Sequence, residues 1–410
     1  MLERSRSHWG SLLGVGMLVL VVAVMFFGAN RFAPAEPWLI PTPTRVDETL
    51  IPTPTAGQLA YNPRRDTFFE AAPQSIPEQY SLRWRIGIGV PDRDPQLFQW
   101  PEHRPGWFLN WTTFYRASED LTPPGSSTAN PLEGLGMDFT PMVRTRTDRL
   151  VPSARELRIL AARFPGRIWL IGNEPDVRWQ DNVVPEVYAE LYHEAYTAIK
   201  SVDPTAQVAI AGLSQITPLR LAYLNRIWAA YQERYGVDMP VDIWNMHVFV
   251  LREEAGNWGV GIPPGFDDVA SGILWEIEQH DDLSFVEAQI RLMRQWMADH
   301  GQRDKELYIT EYGVLMPPEY GFPPSRVIDF LIGSYDLFWT LRDPDLGYPA
   351  DDHRLVQRWV WFSTRDPLYP TGDLFDQDGN PLPVMRAING YIRANTDTSL
   401  AEGERLEIGD

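Results

Sequence analysis

From about residue 80 onward, short apolar runs alternate with stretches in which apolar residues recur every three or four positions. The runs are Trp84–Val90, Trp107–Phe114, Met137–Arg144, Ile168–Asn173, Val208–Leu213, Ile243–Val250, Leu307–Val314 and Trp359–Phe362. Their apolarity is continuous rather than alternating, which predicts strands buried on both faces, as in a parallel sheet. Ser153–Phe164, Pro185–Ser201, Pro218–Tyr235, Ser284–His300, Ser325–Leu341 and Val384–Ala394 carry helical spacing, and Ser153 suits an N-cap. The first two connections, Pro91–Pro105 and Arg116–Leu135, are rich in Pro, Gly and charge and show no helical pattern. Eight such units over about 315 residues predict an α/β fold, a (β/α)8 TIM barrel with loop insertions. The barrel is expected over residues 79–395, with a tail at 396–410. A doubly wound open sheet is the alternative, but no Gly-rich phosphate loop follows any of the runs.

The pattern upstream is different. No charged residue lies between Arg6 and Arg31, and Gly10 to Gly28 is almost continuously apolar. As a helix this stretch would extend about 28 Å, close to the hydrocarbon thickness of a bilayer. A transmembrane anchor is therefore expected at residues 9–29, after a short tail at 1–8. A cleaved signal peptide is the competing reading, but Ala33-Pro34-Ala35 lies beyond the apolar run and carries a central Pro. Residues 30–78 read as a Pro/Thr-rich linker, in which Leu39-Ile40-Pro41-Thr42-Pro43-Thr44 recurs as Leu50-Ile51-Pro52-Thr53-Pro54-Thr55. Such a spacer holds a folded domain away from a surface. The expected arrangement is a single-pass protein of the cell membrane, partnered with the lipid bilayer through this helix, with the barrel on the extracytoplasmic side.

Composition narrows the chemistry. The chain has 36 Lys+Arg against 55 Asp+Glu, a formal charge of −19, which argues against nucleic acid as a partner. Without cysteine there are no disulfides, thiolate nucleophiles or cysteine-held metals. No His-x-His, His-Glu-x-x-His or EF-hand pattern is present, nor a Gly-x-Ser-x-Gly elbow, so neither metal nor cofactor is expected. Sixteen tryptophans exceed common usage; a buried core accounts for them, but sugar-binding clefts also need flat aromatic faces.

Two strand ends stand out. The fourth run leads into Asn173-Glu174-Pro175-Asp176, and the seventh ends in Thr310-Glu311-Tyr312-Gly313. In a barrel of this kind chemistry sits where strands end. Strand parity puts Glu174 in phase with Leu170 and Gly172, and Glu311 in phase with Leu307 and Ile309, so both carboxylates are expected to point into one mouth. A salt bridge to a rim arginine explains one buried carboxylate well, but explains two at matching strand ends less well.

Asn-Glu-Pro after the fourth strand and Thr-Glu-Tyr-Gly after the seventh resemble clan A of the retaining glycoside hydrolases. That resemblance covers the whole expected barrel. It implies a β-glycosidase acting on an oligo- or polysaccharide, with Glu174 as general acid/base, Glu311 as nucleophile and Asn173 at the sugar 2-hydroxyl. Spacing alone leaves open which glutamate carries the proton. On the sixth strand Asn245, His247 and Phe249 share a phase. Clan members commonly have a Tyr where Phe249 stands, so the hydrogen bond it gives the nucleophile is absent or comes from elsewhere, Tyr312 being the candidate. Trp361 resembles the aromatic platform under the sugar, and Trp111 and Arg144 at the ends of strands two and three are further candidates. Arg85 and Arg144 read equally as structural pairings. The segment Leu251–Ala270 is long enough to cover the cleft, or is an insertion without order. Two rival activities share this site: a silent glycan-binding barrel acting as a surface receptor or cell-wall scaffold, and a transglycosylase.

Overall fold

The structure is a computed structural model that describes residues 74–91, 95–113, 130 and 132–396. The expected tail at 1–8, anchor at 9–29 and most of the linker at 30–78 lie outside the described residues, as does 397–410. Among the described residues no helix is long and apolar enough to cross a membrane.

Among the described residues nine strands form one sheet: β1 (Ile86–Gly89), β2 (Trp107–Leu109), β3 (Asp138–Phe139), β4 (Met142–Val143), β5 (Ile168–Asn173), β6 (Gln207–Gly212), β7 (Ile243–His247), β8 (Glu306–Tyr312) and β9 (Arg358–Trp361). Their order is β3-β2-β1-β9-β8-β7-β6-β5-β4, and every pairing is parallel. The two ends of this order, β3 and β4, are separated in the chain only by Thr140 and Pro141. The run expected as one strand is thus divided: β3 pairs with β2, β4 pairs with β5, and the order returns to its start. Pro141 has no N–H for the ladder, which is why the run breaks there. Eight expected strands become nine for that reason.

The strands are buried along nearly their whole length. Trp107, Leu109, Met142, Leu170, Ala209, Ile243, Tyr308 and Val360 meet in one core cluster, drawn from seven of the nine strands. They form a filled interior, as expected of a parallel sheet curled around its own side chains.

Among the described residues seven α-helices accompany the sheet. The short α1 (Leu82–Arg85), capped by Ser81, takes up residues expected at the start of the first strand. The others are α2 (Ala154–Arg163), α3 (Pro185–Lys200), α4 (Pro218–Tyr235), α5 (Leu283–Asp299), α6 (Pro324–Thr340) and α7 (Pro383–Thr396). Their starts follow from sequence: a Ser153/Glu156 capping box, Thr217 and Asp282 side-chain caps, and Pro in the first turn of α3, α4 and α6. At the N-terminal end of the strands, Arg85 is buried and pairs with both oxygens of Asp351. Arg85 is therefore a structural residue remote from the strand ends that carry chemistry.

Candidate active site

Glu174, His247 and Glu311 come from three different strand ends and converge. His247 Nδ1 lies 2.9 Å from Glu174 Oε1, and its Nε2 lies 3.7 Å from Glu311 Oε1. One carboxylate oxygen of each glutamate and a ring nitrogen of His247 all fall within 4.8 Å of one another. All three residues are buried. Gly212, at the end of β6, makes the approach possible: a Cβ there would lie 2.4 Å from the imidazole.

Glu311 reaches this place by a route that simple alternation does not give. Leu307 and Ile309 were expected on its face, yet Tyr308 is the residue in the interior cluster, and Thr310 bonds Asn245 and His247. The register slips between Met246 and His247 against β8, and again between Ile309 and Tyr312 against β9. This irregularity turns Thr310 and Glu311 into the mouth together, as a bulge does when it re-aims a side chain. The expected parity for Glu311 is therefore corrected, although its destination is the expected one. β5 ends irregularly too, with Gly172 and Glu174 both at positive φ (93° and 42°).

Two expected site residues lie elsewhere. Tyr312 is fully buried toward the helix layer, where its hydroxyl accepts from Ser334 of α6 and its ring packs on Phe330 and Phe338. Trp361 packs edge-on against Tyr312 and donates its indole N–H to Gly372 O at 2.8 Å. On β9 the interior positions are Val360 and, just beyond the strand, Phe362. A shift of one residue exchanges the two faces of a strand, which corrects the placement of Trp361.

The other expected residues stay close to the mouth. Trp111 donates its indole N–H to Glu311 Oε1, so the nucleophile candidate receives its hydrogen bond from β2's extension rather than from Tyr312. Phe362 packs edge-on against Trp111 at 5.5 Å between ring centres, and Gly89 leaves room for the indole, since a Cβ there would meet it at 2.4 Å. Arg144 pairs with Asp181 Oδ1 at 2.7 Å. The other Asp181 oxygen accepts from the backbone N–H groups of Thr145 and Asn173 and from the Thr145 hydroxyl. Asp181 thereby ties the ends of β4 and β5 together. Asn173 Oδ1 and Asn245 Nδ2 are buried without a partner among the described residues, unlike most interior polar atoms.

The two carboxyls sit in different fields. Burial pushes Glu174 up to about 8, with Asp176 and Asp181 adding to the rise and Arg144 and Arg220 opposing it. Burial also raises Glu311, to about 7, but His247, the Trp111 N–H and Arg144 hold it down while Glu174 raises it. Behind Glu174, Asp176 pairs with fully buried Arg220, which also pairs with Glu253 at 2.8 Å. Arg220 further donates to the backbone oxygens of Val260 and Gly261. The Leu251–Ala270 segment is thus tied to the barrel by a buried ion network, which argues for order over a loose insertion.

Sequence reasoning missed Thr310, Asp181, Phe362 and Gly212. Only Thr310 carried a readable signal, standing beside Glu311; the others become neighbours of the site through pairing across strands. The sequence carries no contiguous metal-donor motif, yet the fold brings Glu174, His247 and Glu311 within metal-binding range. Both ring nitrogens of His247 already hold hydrogen-bond partners, so a cation would have to break one of those bonds.

No protein-family model matches the chain, and no curated protein matches it in sequence. Among solved structures it is similar to a GH128 (subgroup II) endo-β-1,3-glucanase from Pseudomonas viridiflava. The identity is 17% and the TM-score 0.49, over 74% of this chain and 96% of that one. A second GH128 (subgroup II) endo-β-1,3-glucanase, from Sorangium cellulosum, has 18% identity and a TM-score of 0.47 over 74% and 97% of the two chains. A GH128 (subgroup VII) oligosaccharide-binding protein from Cryptococcus neoformans has 15% identity and a TM-score of 0.46 over 79% and 98%.

Proposed function

We propose that the chain is a glycoside hydrolase that cleaves β-glycosidic bonds with retention, using Glu174 as acid/base and Glu311 as nucleophile. The observation that carries this reading is the pair of carboxyls with oxygens within 4.8 Å of each other. Retaining enzymes hold their carboxyls about 5–5.5 Å apart, whereas inverting ones leave roughly 6.5–9.5 Å for a water. The unequal fields support the division of labour, since the acid must keep its proton while the nucleophile is ionised.

In the first step Glu311 attacks the anomeric carbon, the bond to the leaving oxygen breaks, and Glu174 gives that oxygen its proton. In the second, water attacks the same carbon, the ester to Glu311 breaks, and Glu174 takes the proton of the water. Trp111 holds Glu311 Oε1 throughout. Asn173 Oδ1, buried and without a partner among the described residues, suits a sugar hydroxyl donor. Interception of the ester by a second sugar would make the same site a transglycosylase. We further propose that the apolar stretch from Gly10 to Gly28 anchors the chain, with the barrel on the extracytoplasmic side.

The full-length chain, in detergent, is screened on β-glucans (laminarin included), mannan, xylan, galactan and aryl β-glycosides, beside Glu311→Ala and Glu174→Ala. Glu311→Ala is expected to be inactive. Glu174→Ala is expected to retain a first step on aryl glycosides with good leaving groups, which need no proton. Equal, mild losses in both variants would sink the assigned roles. Glycan binding without cleavage by the parent would favour the silent-receptor reading.

A further inference from the structure

Neutral imidazole carries one N–H, so its two nitrogens play opposite parts, set by what each one faces. His247 is fully buried, which lowers its pKa and favours the neutral ring, against the opposing influence of Glu311 and Asp176. Its Nε2 lies 3.1 Å from Thr310 Oγ1. The Thr310 hydroxyl has a single hydrogen, and it is donated to Asn245 Oδ1 at 2.9 Å. With that hydrogen committed, Thr310 Oγ1 can only accept from His247. Nε2 therefore carries the ring hydrogen, and Nδ1 turns a lone pair to Glu174 Oε1 at 2.9 Å. Two lone pairs at that distance repel, whereas a carboxylic O–H placed there makes a hydrogen bond.

Resting on the reading of Glu174 as acid/base, we propose that Asn245 and Thr310 are positioning residues that lock His247 in its Nε2–H tautomer, so that Glu174 holds its proton until substrate takes it. The chain of donors runs in one direction: Glu174 to His247, His247 to Thr310, Thr310 to Asn245. After the proton has gone to the leaving oxygen, ionised Glu174 faces the Nδ1 lone pair and becomes a stronger base toward the water of the second step. Asp176, Asp181, Arg144 and Arg220 also act on Glu174, whose charge in turn acts on Glu311 and Tyr369. A substitution at Thr310 replaces none of these groups.

The test uses the full-length chain labelled with 15N-histidine, in detergent, with His247→Gln identifying the signal among the seven histidines. Long-range proton–nitrogen spectra distinguish a protonated ring nitrogen from a bare one. The Nε2–H form is expected in the parent and in Thr310→Ser, which keeps the hydroxyl. In Thr310→Val the ring is expected to turn its hydrogen to Nδ1 and donate to Glu174. The basic limb of the kcat/KM profile should then fall by about one pH unit, a tenfold loss of proton affinity at Glu174. An Nδ1–H parent, with the Asn245 amide donating to Thr310 instead, overturns the inference without need of any variant. So does a Thr310→Val chain whose tautomer and basic limb match the parent. An inactive parent with the Nε2–H tautomer, lost in Thr310→Val, overturns the hydrolase reading and leaves the lock standing.

Discussion

Trp111→Phe separates two jobs that the indole could perform, supporting the sugar or holding the proposed nucleophile. Phe keeps an aromatic ring beside Phe362 but removes the N–H that Glu311 Oε1 accepts. A hydrogen bond to a buried charged group contributes about 1.5–3 kcal/mol, and less when the carboxyl is protonated. A difference of about 1–2 kcal/mol between the two forms corresponds to roughly one pH unit. The sign follows from the proposed role: as a nucleophile Glu311 would have to be ionised to attack, and burial already holds it up at about 7. Losing the N–H raises it further, so the acid limb of kcat/KM against pH moves up by about one unit. The basic limb, governed by Glu174 at about 8, stays in place, and the active window narrows from its acid side. The assay is initial-rate hydrolysis of the best substrate across the pH range, with KM and kcat separated. An acid limb within about 0.3 pH unit of the parent's, together with a raised KM and an unchanged kcat, would refute the reasoning and make Trp111 a sugar platform.

Two other expectations follow from the same geometry and from the sequence. Glu311 rises from 4.5 to about 7 on folding, so the native state binds more protons than the unfolded chain between those values. Stability is then full below about pH 4.5 and falls by roughly 3 kcal/mol by pH 8. Glu311→Gln should accordingly melt level with the parent at low pH and above it at pH 8; coincident melting curves at both would contradict the buried, ionising carboxylate. The full-length chain should remain with membranes through an alkaline carbonate wash, and its barrel should be open to protease from the extracytoplasmic face. Release of the intact chain by the wash would remove the anchor.

Much of the fold was legible because burial and periodicity act locally. Continuous apolar runs marked the strands, and three- and four-residue spacing with Ser, Thr, Asp and Pro at the starts marked six of the helices. The break at Pro141 was legible in principle, since a residue without an N–H cannot hold the middle of a ladder. What could not be read was pairing across strands. Asp181 bonds the ends of two strands, Gly212 yields space to a histidine on the next strand, and Phe362, just past β9, meets Trp111, just past β2, across the intervening β1. Each depends on a partner distant in sequence, and a single chain without its relatives gives no sign of such partners.

Parity failed at Glu311, and the reason bears on the chemistry. Regular alternation on β8 would place Tyr308, Thr310 and Tyr312 inward and send Glu311 to the helix layer, or the reverse. The fold satisfies neither pattern. Tyr308 faces the core, Tyr312 faces Ser334 of α6, and the slip between them admits both Thr310 and Glu311 to the mouth. A regular strand could present one of that adjacent pair but not both. The proposed nucleophile and the hydroxyl that faces His247 can therefore stand side by side only where the ladder is broken. Local rules are expected to give way at sites of this kind, where geometry is held against the regular pattern for the sake of chemistry. A deletion that restored alternation on β8 would keep the apolar core positions Leu307 and Ile309 and lose one member of the pair, which separates the strand's contribution to folding from its contribution to the site.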